Sequence, residues 1–380
     1  HRIMKILFIT GSRGEWGYIK PIIKLCIKRS IDYDICATNM LLLPNFGNLV
    51  EEIKEEGFRV SDEIFMALDG YNHYSTSKSL GIFLSSFSDV VKRLKPTWIL
   101  LAGDRGEQLM ASICGSYTYT PVAHIQAGER SGNIDGLSRH AIGKFVHTHF
   151  AANFDAYNRL ISLGEEKFRV HNVGAPQLDE IYQNQISSKK QLEKNYNFSF
   201  NKNYLLSVLH PVTEELKDVE KQVEILLKSL KKIHLNKLWV CPNNDAGNFL
   251  IKDKILENRD DQTFIFENLT RKDFLGFLKF SSCIVGNSSA GLLEAPSFKK
   301  PAINIGRRQN LRLRGKNVLD CNFTEDGITK SIKIGLSETF NKRLKNIKNP
   351  YGNGRSAEKI LKILQNTKIN DKLLIKTLTL

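Results

Sequence analysis

The stretch HIQAGERSGNIDGLSRH, residues 124–140, concentrates side chains that move or orient protons: His124, Glu129, Asp135, Arg139 and His140, with Gln126 among them. It follows PVAHI, an apolar run that reads as a buried strand. Four other strand-like runs end in comparable chemistry. MKILFIT leads into GSRGEWG, WILLAG into DRGE, YLLSVL into His210-Pro-Val-Thr, and SCIVG into Asn-Ser-Ser. In open parallel sheets ligands bind beyond the carboxyl ends of strands, so these five ends are the candidate site.

Each end suits a particular task. In GSRGEWG the glycines let backbone N–H groups approach a phosphate at a helix start, and Arg13 could pair with a diphosphate. The spacing is not GxGxxG, so a dinucleotide site of the dehydrogenase kind is not supported, and an ordinary strand-to-helix turn is the bland alternative. DRGE offers Asp104, Arg105 and Glu107, with Asp104 either a helix cap or an acid/base group. His210 stands at a strand end in the second half of the chain, as a proton-handling or a packed histidine. Ser288 and Ser289 can cap a helix and present hydroxyls to an anion, and Glu294 beyond them can accept from ribose hydroxyls. GRRQNLRLRGKNV holds Arg307, Arg308, Arg312, Arg314 and Lys316; Arg308 and Arg312 read as a clamp on a leaving anion, the others as surface charge. His140, His147 and His149 lack a carboxylate at ligand-like spacing, so no metal site is expected.

Elements must carry these groups. The pattern predicts strands at MKILFIT, DYDICAT, TWILLAGD, PVAHI, HTHFAAN and FRVHNVG, separated by helices over 18–28, LVEEIKEE, 75–94, 108–117 and 137–145. A polar helix over 179–196 bridges to a second series: YLLSVLH, a helix over 212–232, KLWVCP, TFIFE, CIVGNSS, PAINIG and NVLDC, and a last helix over 356–374. Strands alternating with helices imply parallel sheets covered on both faces. The expectation is α/β, with two doubly wound, Rossmann-like domains over 4–178 and 200–355, a helix over 356–380 packing back on the first domain, and a cleft between domains as the meeting place of the strand ends.

Composition narrows the classes. The chain has 380 residues and a net charge of +15. Its Lys residues are dispersed without interleaved aromatics, so a nucleic-acid partner is not expected, whereas a polyanionic small substrate suits the charge. No apolar run approaches the ~18 residues of a membrane span. The six Cys are scattered, without CxxC pairs, and read as reduced residues of a cytoplasmic protein. Met4 reads as the natural start and residues 1–3 as a scar left by cloning.

The motifs GSRxE, GDR, HIxxGExSGxID, SRHAIxK, NVGxPxLD, HPVT, PNxDAG, GNSS with a following Glu, and GxRQ occur in that order from Gly11 to Val318. Together they resemble the hydrolysing UDP-N-acetylglucosamine 2-epimerases, enzymes of bacterial sialic- and legionaminic-acid synthesis. The resemblance implies the glycosyltransferase-B architecture, a UDP-sugar substrate, no NAD or metal cofactor, and a homodimer or homotetramer. It implies elimination of UDP from a UDP-2-acetamido sugar through a 2-acetamidoglucal, then water addition with inversion at C2. It places Asp104, Asp135, His210 and the position of Gln126 around the chemistry, and Ser288, Ser289 and Glu294 on the nucleotide. Arg13 and Arg308 fall near the diphosphate. Arg139 and His140 orient the loop or touch the sugar, and Arg105 and Asn243, in the GDR and PNxDAG motifs, join the binding set. A non-hydrolysing 2-epimerase or a glycosyltransferase of the same architecture is the alternative.

One position departs from the pattern. Several members of the family it resembles carry Glu where this chain has Gln126, and Gln cannot carry a proton. Three explanations compete: Glu129 does the work, the sugar is differently substituted, such as a 2,4-diacetamido-2,4,6-trideoxy sugar, or Glu was replaced by mutation. The accompanying changes at Ala127 and Arg130 favour a natural subgroup.

Overall fold

Alternate residues of the first apolar run face opposite sides of a parallel sheet. Ile6 and Phe8 join one buried cluster and Leu7 and Ile9 another, as the period of two along a strand requires. The computed structural model describes residues 4–44, 48–68, 73–130, 134–241, 246–267 and 269–379. Asn243 lies outside them, as does the side chain of Asp135.

The described residues form two units, one of residues 1–179 and 351–380, the other of residues 180–350. The first begins with β1 (Lys5–Thr10), α1 (Arg13–Lys28), β2 (Asp32–Thr38), α2 (Leu49–Glu55), β3 (Val60–Ile64), α3 (His73–Leu94), β4 (Trp98–Ala102) and α4 (Gly106–Tyr117). It continues with β5 (Val122–Ile125), α5 (Ile134–Phe145), β6 (Thr148–Ala151), α6 (Phe154–Ser162) and β7 (Val170–Asn172), and α7 (Asp179–Tyr182) begins at the unit's edge. Its seven strands run in the order β3-β2-β1-β4-β5-β6-β7, every pairing parallel.

The second unit holds α8 (Lys189–Tyr196), β8 (Tyr204–Val208), α9 (Val219–Lys231), β9 (Asn236–Cys241), α10 (Ala246–Glu257), β10 (Thr263–Glu267), α11 (Arg271–Phe280) and β11 (Cys283–Gly286). After these come α12 (Ala290–Leu293), β12 (Ala302–Ile305), β13 (Val318–Cys321), α13 (Glu325–Leu336) and α14 (Glu338–Leu344). Six parallel strands run in the order β10-β9-β8-β11-β12-β13. The chain then returns to the first unit with α15 (Ser356–Asn366), whose Ala357, Ile360, Leu361 and Leu364 are buried in the same cluster as Ile6 and Phe8, and ends in α16 (Asp371–Leu374).

The α/β alternation is as expected, and several local features differ, among them the helix expected over 356–374, which is two because Asn370 caps α16 afresh. Helix α1 starts at Arg13, capped by Ser12, and runs through Pro21; the glycines and the proline had hidden its first turns. Strand β3, VSDEI, was not anticipated: it is an edge strand, and its polar residues mask the signal. The helix expected over 179–196 is two, because Ser188 starts α8 afresh with a capping box to Gln191; from Glu180 on these residues fold with the second unit. The six Cys are free thiols. Among the described residues no helix is long and apolar enough to cross a membrane.

In both sheets the order of strand addition switches sides at the first strand: β2 and β4 flank β1, and β9 and β11 flank β8. The carboxyl ends at these switches are Gly11, Gly103, Leu209 and Asn287, with Gln126 one strand further along. Gly286 sits at φ +134°, and a Cβ there would collide with the Val208 carbonyl, so the β11 end passes close to β8 only as glycine.

Candidate active site

In the first unit the chemistry gathers around Arg139. Helix α5 carries its guanidinium back across the ends of β4 and β5, where it is 3% exposed. One terminal nitrogen donates to the Asp104 carboxylate. The other donates to Glu129 at 3.1 Å and to the Gln126 carbonyl at 3.2 Å. Burial works against the charge of Arg139, but Asp104 and Glu129 outweigh it and raise its pKa. Asn153, which caps α6, stands 3.5 Å from the other Glu129 oxygen. Two carboxylates are thus held a guanidinium's width apart at adjacent strand ends.

His124, on β5, donates from Nε2 to the Gly103 carbonyl at 2.6 Å, next to Asp104. Burial drives its pKa down to about 3, so the ring is neutral. His140, half-buried on α5, is also lowered, by burial and then by Arg139. Gln126 is 1% exposed at φ +59°. Gln126 Nε2, His124 Nδ1, His140 Nδ1 and Arg139 Nε are buried with no partner among the described residues.

A second carboxylate pair supports the Gly11 turn. Glu15 accepts from the Gly11 amide at 2.5 Å. Glu107 accepts from Asn39 at 3.3 Å and from Arg105 at 3.2 Å. Burial, then the nearby Glu107, raises the pKa of Glu15 well above the usual carboxylate range. A Cβ on Gly11 would press on the Glu107 carboxylate, which would have to shift from its bonds to Asn39 and Arg105. Arg13 is not drawn into this set: its side chain is 60% exposed, 3.9 Å from Glu52.

His147 and His149 have structural partners. His147 Nδ1 accepts from the Val122 amide at 3.0 Å. His149 Nε2 lies 2.9 Å from Glu165, which also pairs with Lys376 at 2.8 Å. Among the described residues no group of His, Cys, Asp and Glu is placed to hold a metal ion.

In the second unit the organiser is Asn287. Its side chain accepts from the His210 amide at 2.7 Å and donates to the His210 carbonyl at 2.8 Å, joining the ends of β8 and β11. Its own carbonyl accepts from Arg308 and from Gln309, both at 3.0 Å. The His210 ring is held neutral, its pKa lowered to about 3 by burial and then by Arg308. Ser288 Oγ accepts from the Ala290 amide at 3.2 Å, and Ser289 precedes α12 without a side-chain cap bond. Glu294 is buried and accepts from Arg271 at 3.1 Å, while Arg271 also binds Glu180 at 2.9 Å. The second Glu294 oxygen is buried with no partner among the described residues.

The basic run divides by partner. Arg307 pairs with Glu215, and Arg314 with Asp320. Arg308 and Arg312 have no carboxylate partner among the described residues. Burial, then the nearby Arg312, lowers the pKa of Arg308 to about 10, and two such cations without a counter-ion among the described residues suit an anion.

The structure brings Asp104, Gln126, Glu129, Arg139 and His140 into one wall of the first unit, and His210, Ser288 and Arg308 around Asn287 in the second, with Arg312 beside Gln309. Arg271 was missed in the sequence. It follows an ordinary helix cap, Thr270, and its link to Glu294 is a long-range contact without a local signal. Asn287 and Gln309 stood inside quoted motifs, but their tasks as staples emerge only from strand adjacency.

Two doubly wound parallel sheets with charged groups at their carboxyl edges define an α/β protein of the glycosyltransferase-B type. Residues 24–365 match the family model described as UDP-N-acetylglucosamine 2-epimerase. A UDP-N,N'-diacetylbacillosamine 2-epimerase (hydrolyzing) from Legionella pneumophila is 36% identical over 98% of this chain and 99% of its own length. A GDP/UDP-N,N'-diacetylbacillosamine 2-epimerase (hydrolyzing) from Campylobacter jejuni is 34% identical over 84% of this chain and 85% of its own. The crystal structure of UDP-GlcNAc 2-epimerase from Neisseria meningitidis bound to UDP-GlcNAc shares the fold, with a TM-score of 0.82 at 21% identity, covering 96% of this chain and 100% of that one. The chain belongs to the hydrolysing UDP-N-acetylglucosamine 2-epimerase family.

Proposed function

We propose that this enzyme hydrolyses a UDP-linked 2-acetamido sugar with inversion at C2, and that its substrate is UDP-N,N'-diacetylbacillosamine, a 2,4-diacetamido-2,4,6-trideoxy sugar. The observation that carries the reading is the Asp104–Arg139–Glu129 bridge, with Gln126 on the same wall. The 36% identity to a relative of that substrate supports the choice of sugar.

In the first half-reaction a carboxylate of the wall takes the C2 proton while the C1–O bond to UDP breaks, giving UDP and a 2-acetamidoglucal. In the second, water adds its hydroxyl to C1 and a proton reaches C2 from the opposite face. The sum is UDP-sugar plus water to UDP plus the free manno-configured sugar. Asp104 and Glu129 supply proton-transfer groups, a task worth ~10²–10⁴-fold in rate, and Asp135 is the further proton carrier. Arg308 and Arg312 stabilise the leaving diphosphate, where charge develops. Ser288 and Ser289 take the phosphates, and the free Glu294 oxygen accepts from a ribose hydroxyl. His210, held neutral, orients rather than titrates. The free sugar suits nonulosonic acid synthesis, and the enzyme works as a homo-oligomer.

The test is incubation with UDP-N,N'-diacetylbacillosamine and with UDP-N-acetylglucosamine in deuterated water. The expected products are UDP and a free 2-epimer with deuterium at C2, formed faster from the diacetamido sugar. A product that keeps the nucleotide, or a free sugar without deuterium, overturns the reading.

A further inference from the structure

Gln126 combines two local costs that ordinary packing does not explain. Its backbone lies at φ +59°, a region unfavourable to side chains other than those of Gly, Asn and Asp. The residue is 1% exposed, and its amide nitrogen is buried without a partner among the described residues. A buried N–H with no acceptor is a standing penalty, and such strain persists where the surroundings impose it. They do so here: the Gln126 carbonyl is fixed by Arg139, the Ala127 amide donates to the Phe150 carbonyl at 3.3 Å, and Gly128 at φ +77° packs against the Ala156 carbonyl and Leu160.

The charged neighbours do not answer this donor. Asp104 and Glu129 are both engaged by Arg139. A primary amide cannot take a proton from carbon at any ordinary pH, so this point of the wall contributes recognition rather than proton transfer. The missing partner is an uncharged acceptor brought by the ligand. A carbonyl oxygen accepts without adding a proton that needs an acceptor of its own, as a sugar hydroxyl would. Resting on the reading above, we propose that the Gln126 side-chain amide donates a hydrogen bond to an acetamido carbonyl of the sugar, and so acts as a specificity-determining residue of this enzyme.

The experiment compares wild type, Gln126→Ala and the isosteric Gln126→Glu by KM and kcat for UDP-N,N'-diacetylbacillosamine. It adds the inhibition constant of UDP-glucose, which has the nucleotide but no acetamido group, and a thermal melt to confirm folding. Gln126→Ala is expected to raise KM about 5- to 150-fold, equivalent to the about 1–3 kcal/mol of an unanswered hydrogen-bonding group, with the UDP-glucose constant unchanged. Gln126→Glu, ionised, offers only acceptors; its KM should be raised as much at pH 8 and recover as the pH falls and the carboxyl regains a donor. A Gln126→Ala enzyme with wild-type KM, a UDP-glucose constant that worsens in step with KM, or a Gln126→Glu enzyme equal to wild type at pH 8 overturns the inference. If wild type itself releases no UDP from any acetamido sugar, it is the function that fails, and the two failures are distinguished in one assay.

Discussion

Arg139 and Glu129 form a buried ion pair, Nη1 to Oε2 at 3.1 Å, with side-chain exposures of 3% and 7%. Because the same guanidinium also holds Asp104, its removal would leave two carboxylates facing each other with no cation between them. Breaking a buried pair costs about 3–5 kcal/mol. Arg139→Met is therefore expected to lose about that much stability in urea unfolding and to lose activity. Arg139→Lys, keeping the charge but not the fork, should recover most of the stability and little of the turnover. A stable, active Arg139→Met enzyme would show that the bridge does not organise the wall.

Asp104→Asn and Glu129→Gln keep shape and remove proton transfer. Each is expected to lower turnover at least ~100-fold while leaving UDP affinity near wild type, since the groups proposed to hold the nucleotide belong to the second unit. Asp135→Asn should do likewise. The decisive measurement is deuterium entry at C2 against UDP release. A variant that releases UDP and accumulates the glucal has lost the second half-reaction alone, which assigns its residue to reprotonation.

Much of this was legible in the sequence because the fold is written in short periods. Runs such as KILFIT and WILLA are too apolar for anything but buried parallel strands, and the polar residues at their ends are local in sequence. Less legible were features set by distant partners. Asn287 acts through His210, 77 residues away, because β8 and β11 are neighbours. Arg271 binds Glu294, 23 residues away, with α11, β11 and α12 between them, a pairing that no spacing announces. The left-handed backbone of Gln126 is likewise invisible in its letter, since the turn is fixed by Arg139, Phe150 and Ala156 rather than by local preference. Edge strand β3 was lost for the opposite reason: half solvated, it carries polar residues that resemble a loop.

Loss of the diphosphate clamp should be separable from loss of proton transfer. Arg308→Ala and Arg312→Ala are each expected to weaken UDP binding roughly 10-fold or more, as for a charge-assisted hydrogen bond of about 1.5–3 kcal/mol. Arg307→Ala and Arg314→Ala, which remove exposed or half-exposed pairs, should change it little. Titration calorimetry with UDP checks both halves of the contrast.

Acid should destabilise the protein well above the pKa of its carboxylates. Burial lowers His124 and His210 to about 3 and His147 to about 4, against about 6.5 unfolded. Between these values the unfolded chain binds more protons, so stability rises with pH and is fully present above about 6.5. It falls as the pH drops, by up to about 1.4 kcal/mol per pH unit for each histidine. Glu165, lowered to about 2 beside His149 and Lys376 despite its burial, adds to the loss below its unfolded value of about 4.5. Glu15, raised, works in the opposite sense: its contribution is present below that value and lost as the pH rises above it. The histidines outnumber it in the window from pH 6.5 to 4.5. Urea midpoints measured at pH 7.5, 6.5, 5.5 and 4.5 are expected to fall slightly between the first two and then steeply. His124→Gln, which can keep the bond to the Gly103 carbonyl without a titrating ring, should flatten that fall by up to about 1.4 kcal/mol per pH unit. An unchanged slope would mean that His124 is protonated as easily in the fold as out of it.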